Sequence, residues 1–121
     1  MKLCYIAGRY RAETPEAVEL NIRAAEFMGK LVAEKGYYPV IPHANTRNFE
    51  RLCNAPDEFY LDGTLELMKA CEYVLMIPGW RESSGARNEH DVALEKGLFV
   101  YYSIEDLPKQ KGRGFDGWHQ Y

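Results

Sequence analysis

Two rhythms of apolar residues alternate along this chain. Short runs at Lys2 to Ala7, Tyr37 to Ile41, Tyr73 to Ile77 and Leu98 to Tyr102 have the length and aliphatic or aromatic content of buried parallel strands. Between them the spacing lengthens to three and four. Pro15 to about Lys35 predicts a helix burying Val18, Ile22, Ala25, Met28 and Val32. Thr14-Pro15-Glu16 starts it with a capping hydroxyl, a proline and an acid in the first turn, and Gly36 stops it. Asp57 to Cys71 has helical spacing through Phe59, Leu61, Leu65, Leu67 and Met68, with Gly63 weakening its centre. Asn88 to Lys96 predicts a third helix, and Ile104 to Leu107 one more turn. The stretch from His43 to Pro56 reads as irregular.

Strands alternating with helices predict an α/β fold: a flavodoxin-like or Rossmann-like three-layer sandwich with a four- or five-stranded parallel sheet. In such sheets ligands gather at the carboxyl ends of the strands. There lie Gly8-Arg9-Tyr10-Arg11, then Pro42-His43-Ala44-Asn45, then the long loop Pro78 to Glu89. Three polar loops therefore converge on one crevice.

Composition narrows the function classes. A chain of 121 residues, 46% hydrophobic and 27% charged, is sized for one globular domain. No apolar run approaches the roughly 18 residues that span a membrane, and no signal-peptide pattern opens the chain. Cys4, Cys53 and Cys71 are odd in number and scattered, which reads as reduced core thiols in a cytoplasmic protein. No His/Cys/Asp cluster has metal spacing, so neither a metal nor another cofactor is expected. A net charge of −3 gives no broad electrostatic ground for nucleic-acid binding. A small-molecule partner is the expectation.

The loop from Pro78 carries most of the chemistry. A strand, a loop with Ser83, Ser84 and Gly85, and a helix start present outward backbone N–H groups to an anion or sugar. Glu89, read as lying in the first turn of the following helix, adds a carboxylate that can act on a bound group. The bland readings are a dipole partner for Glu89, a tied-off core hydroxyl for Tyr5 and solvated side chains for Arg9 and Arg11. Trp80 is read either as stacking on a base or sugar or as capping the sheet. His43 is read either as a packed loop histidine or as a ligand contact.

Tyr5-Ile6-Ala7-Gly8 resembles the Tyr-x-x-Gly opening of the nucleoside 2-deoxyribosyltransferase superfamily, which includes the 2'-deoxynucleoside 5'-monophosphate N-glycosidases. Ser83, Gly85, Glu89, Ala93 and Gly97 are similar to its Ser-x-Gly-x-x-x-Glu-x-x-x-Ala-x-x-x-Gly segment. The wording from Pro78 to His90 is closest to small bacterial and phage members. The resemblance, over residues 2 to 102, implies cleavage or transfer at the N-glycosidic bond of a nucleoside or nucleoside 5'-monophosphate. It implies Glu89 as nucleophile, Tyr5 as the hydroxyl orienting it, and Ser83 and Arg11 as holders of a 5'-phosphate, with Arg87 added to that pocket. It also implies a homodimer or higher homo-oligomer.

One departure is visible. The family's general acid is an aspartate eight residues before the acid that opens the third strand. That acid is Glu72 here, and the position eight before it holds Thr64. Asp62 could fill the role through a local shift at Gly63, His43 could replace it, or the acid could be absent. The last case favours a different class, a non-catalytic nucleotide-binding module that senses or sequesters its ligand. A phosphoribohydrolase is a weaker alternative, because Trp80 stands where its loop has a second glycine. The domain is expected to occupy residues 1–107. The tail, 108–121, with Phe115, Trp118, His119 and Tyr121, reads as a dimer contact or a lid.

Overall fold

Residues 1–112 are described by the computed structural model of the chain. Four strands, β1 (Leu3–Ala7), β2 (Tyr38–Val40), β3 (Tyr73–Met76) and β4 (Phe99–Tyr101), form one parallel sheet in the order β2-β1-β3-β4. Six helical segments join them. They are α1 (Pro15–Glu34), α2 (Pro42–Asn45), α3 (Phe49–Leu52), α4 (Asp57–Lys69), a 3₁₀ turn at Trp80–Glu82, and α5 (Ser84–Glu95). This is the expected flavodoxin-like α/β sandwich, with four strands.

The period of two along the strands sorts the core into two layers. Cys4 and Ile6 of β1 and Leu75 of β3 face Ala25 and Val32 of α1, with Leu107 beside them. Tyr5, Ala7, Val74 and Met76 face the other way, toward Met68 of α4 and Ala86 and Ala93 of α5. A helix layer therefore covers each side. Thr14 caps α1 by accepting from the Ala17 N–H at 3.1 Å, as its sequence predicts. Met28 is only half-buried, because the adjacent buried residue is Gly29, where a Cβ would meet Ile41 at 2.5 Å.

Three expectations change. The stretch after β2 is not irregular throughout, since it holds the short helices α2 and α3. Cys53 is not a core thiol: it follows α3, which buries none of its residues, and is exposed, whereas Cys4 and Cys71 are buried. Helix α5 begins at Ser84, not Asn88, because the Ser83 Oγ accepts the Ala86 N–H at 3.2 Å and caps the helix there.

The segment after β4 turns at Ile104–Leu107, as predicted, and docks at the amino end of the sheet. Lys35 Nζ donates to the carbonyls of Ile104 and Leu107, and the Gln110 N–H donates to the Lys35 carbonyl at 2.8 Å. Phe115, Trp118, His119 and Tyr121, expected to form a contact or lid, lie outside the described residues. Among the described residues, no helix is long and apolar enough to cross a membrane.

Candidate active site

The strand order reverses between β1 and β3, and a crevice forms where neighbouring strands send their chains in opposite directions. Gly8 ends β1 at this point. A Cβ there would come within 2.8 Å of the Ile77 side chain, so any larger residue would push Ile77 aside. Across the sheet Gly79, at φ 92°, turns the chain after β3 in a conformation that favours glycine. Beside Gly8 and the start of α5 opens a cleft of about 450 Å³, within the ordinary range for a small-molecule site.

Glu89 lies on the wall of this cleft, and Tyr5, from the middle of β1, reaches it on the α5 side of the sheet. The buried Tyr5 hydroxyl donates to the Glu89 carboxylate. Burial pushes the Glu89 carboxyl up to about 7, while hydrogen bonds from the Tyr5 and Thr64 hydroxyls pull the other way. The Thr64 hydroxyl also donates to the Leu61 carbonyl at 3.2 Å, so its single proton serves one acceptor or the other. Burial, with the Glu89 charge next, raises the Tyr5 phenol well above its usual value and keeps it a donor. A carboxyl near neutrality, faced by a fixed donor and open to a cleft, can attack an electrophile, bind a hydroxyl or exchange a proton.

The new start of α5 moves Glu89 from the first helical turn to the second. That removes the ordinary reading of a dipole partner, because the dipole's effect fades within the first turn. It also sets the helix phase. Gly85, Asn88 and Glu89 share the cleft face, whereas Arg87 points away and donates to the Arg81 carbonyl at 2.6 Å. Arg87 is therefore not part of the pocket.

The structure brings together most of the other expected residues. Gly8, Arg9, Arg11, His43, Ser83, Ser84 and Gly85 all line the cleft. Arg11 is already paired with Asp57 at 2.7 Å, but both partners are exposed. Such pairs contribute about 1 kcal/mol or less and exchange readily for a ligand anion. His43 is buried, and its Nε2 meets the Arg9 carbonyl at 2.9 Å. Burial lowers its pKa against the Arg9 and Gly8 carbonyls, so the ring is neutral near pH 7.

Besides Arg87, three more expected residues fall outside. Asp62 is exposed and away from the cleft, because α4 runs unbroken through Gly63 and keeps its helical phase; Thr64 takes the cleft position. Asn45 is exposed at the end of α2 and does not line the cleft. Trp80 is buried and does not line the cleft; it is stacked on His90 at 4.4 Å with Arg81 over its ring at 4.5 Å. It caps the sheet and is not placed to stack on a ligand.

Sequence reasoning missed the α4 stripe Asp57, Tyr60, Leu61, Thr64 and Leu65, which lines one wall at helical spacing. That spacing was readable, but the apolar positions Phe59 and Leu61 drew attention to a core face, and both are exposed. Tyr10 was also missed. Its hydroxyl accepts the Asn48 N–H at 2.8 Å and donates to Glu50 at 3.0 Å, tying the loop after β1 to the start of α3. Among the described residues, no group of three or more His, Cys, Asp or Glu side chains could hold a metal ion.

No curated protein matches the chain. A family model described as a domain of unknown function (DUF4406) matches residues 2–102, the span that holds the whole sheet and every residue of the cleft, and the chain belongs to that family.

Proposed function

We propose that this protein cleaves or transfers at the N-glycosidic bond of a nucleoside or nucleoside 5'-monophosphate, with Glu89 as the nucleophile. The observation that carries this reading is the buried Glu89 carboxyl, with a pKa of about 7, held by the Tyr5 hydroxyl at a cleft sized for such a ligand. The likeness of Tyr5, Gly8, Ser83, Gly85 and Glu89 to the nucleoside 2-deoxyribosyltransferase superfamily points the same way.

In this mechanism a Glu89 oxygen bonds to the anomeric carbon as the carbon–nitrogen bond breaks. The bonding pair leaves on the base nitrogen, which takes a proton from solvent. Water, or the nitrogen of a second base, then attacks the same carbon, releases Glu89 as carboxylate and gives up a proton. Tyr5 is a positioning residue that keeps the carboxylate aimed. Arg9, Arg11 and the N–H groups at the start of α5 hold the sugar or its phosphate.

One observation favours a second reading, a nucleotide-binding module without turnover. Asp62 faces away from the cleft and Thr64 faces it, so the aspartate expected to protonate the leaving base is not there. General acid catalysis typically supplies about 10²–10⁴-fold, so its loss slows the reaction without touching affinity.

The test is chromatography of nucleosides and their 5'-monophosphates incubated with wild type and Glu89→Ala, with and without a second free base. Base release by wild type alone supports hydrolysis, and base exchange supports transfer. A nucleoside that raises the melting temperature with no base released would replace the enzyme reading with the binding module.

A further inference from the structure

Buried polar atoms in a native protein nearly always have hydrogen-bond partners, and each exception calls for an explanation. Among the described residues two buried side-chain atoms lack a partner, His43 Nδ1 and the Tyr60 hydroxyl, and both residues line the same cleft. They approach it from different elements, one on α2 and the other on α4.

Their chemistry is complementary. His43 is 5% exposed and its Nε2 faces the Arg9 carbonyl, which fixes the ring proton on that nitrogen. Nδ1 is left as a bare lone pair, an acceptor. The Tyr10 ring meets the imidazole edge-on at 5.5 Å and holds its orientation. Tyr60 offers a phenolic O–H, and the Cys53 thiol beside it is a weak partner at best. Phe59 packs edge-on to the Tyr60 ring at 5.4 Å. Tyr60 stands four residues before Thr64 on the same face of α4, so it lies just over one turn, roughly 6 Å along the helix, from the hydroxyl beside Glu89.

We propose that His43 Nδ1 and the Tyr60 hydroxyl read the heterocycle of the ligand, His43 accepting an N–H and Tyr60 donating to a ring nitrogen or carbonyl oxygen. The proposal rests on the cleft being a nucleoside site and adds which side chains recognise the base. The matching chemistry is a neutral nitrogen heterocycle with both a donor and an acceptor on its edge. A sugar phosphate lacks it. A buried site that is left with an unpaired group when the wrong ligand enters discriminates strongly, which gives the pair its selectivity.

The experiment uses the Glu89→Gln protein, so that ligand is not consumed, and titrates inosine, adenosine, thymidine, cytidine and their 5'-monophosphates beside ribose 5-phosphate. Tyr60→Phe removes the hydroxyl and keeps the ring. Added to that background it should weaken the best nucleoside by about 10-fold or more, leave ribose 5-phosphate within about twofold, and hold or raise the melting temperature of the free protein. His43→Phe should give the same selective loss. Unchanged nucleoside affinity in Tyr60→Phe would overturn the pair, and so would equal weakening of nucleoside and ribose 5-phosphate. If the Glu89→Gln parent and the wild type bind none of the nucleosides and none of their 5'-monophosphates, the nucleoside reading itself falls and this inference with it. A selective failure of Tyr60→Phe leaves that reading standing.

Discussion

The Tyr5 hydroxyl and the Glu89 carboxylate meet across 84 residues of sequence, one carried on the central strand and the other on the helix that follows its neighbour. The bond favours the ionised carboxylate while burial favours the protonated one, and burial has the larger effect. Glu89 is therefore poised near neutrality.

Tyr5→Phe removes the opposing bond, so the Glu89 pKa rises. Since attack requires the carboxylate, the acidic limb of the kcat profile should move to higher pH, with roughly a 10-fold loss of rate at pH 6. KM should change little, because Tyr5 touches Glu89 and not the ligand. A profile of kcat and KM from pH 5 to 9 checks both.

Glu89 also links stability to pH. Its folded-state pKa, about 7, lies above the ordinary 4.5, so the folded protein holds this proton more tightly than the unfolded chain. That stabilisation is complete below about pH 4.5, declines as pH rises and is gone above about 7. Glu89→Gln mimics the protonated form at every pH. It should match wild type at pH 4.5 and exceed it by roughly 3 kcal/mol above pH 8, with turnover abolished. Denaturant unfolding of both proteins at the two pH values measures this.

Gly85 and Gly63 make a matched pair of helix glycines. A methyl at Gly85 would meet only the Ser83 Oγ, at 4.0 Å, and at Gly63 nothing within 4 Å. Each change to alanine should stabilise its helix by about 0.5–1 kcal/mol. Gly85 lines the cleft and Gly63 does not, so Gly85→Ala should weaken nucleoside binding whereas Gly63→Ala should leave it unchanged. Melting curves with and without ligand separate the two effects.

Asp62→Asn should leave turnover within about twofold of wild type, since an exposed carboxylate outside the cleft has no route to the leaving base. The assay is initial rate on the best nucleoside at pH 7.

Much of the fold was legible because local signals agreed with one another. Thr14-Pro15-Glu16 and Gly36 bracket α1, and the apolar runs on either side can only be buried strands. The start of α5 was not legible, because Ser84 and Gly85 are loop residues by composition and become helical only once Ser83 caps them. Asp62 against Thr64 was a question of helical phase, which Gly63 left open and continuous hydrogen bonding in α4 settled. Glu89 was legible as a carboxylate just after a Ser/Gly loop, but its pairing with Tyr5 came through resemblance, since no spacing rule connects residues 84 apart. Tyr60 and Tyr10 emerged only from the tertiary arrangement that sets them against the cleft.

The stack behind Glu89 has its own consequence. His90, the next residue, is clamped between Trp80 and a 2.7 Å contact from its Nε2 to the Tyr102 hydroxyl, so α5 is anchored to the sheet edge one residue away from the carboxyl. The backbone that carries the carboxyl is thus held by an aromatic brace whose residues lie outside the cleft lining. On the proposed glycosidase reading, loosening that brace would slow attack and leave affinity intact, so rate and ligand selectivity would be set by separate parts of the protein.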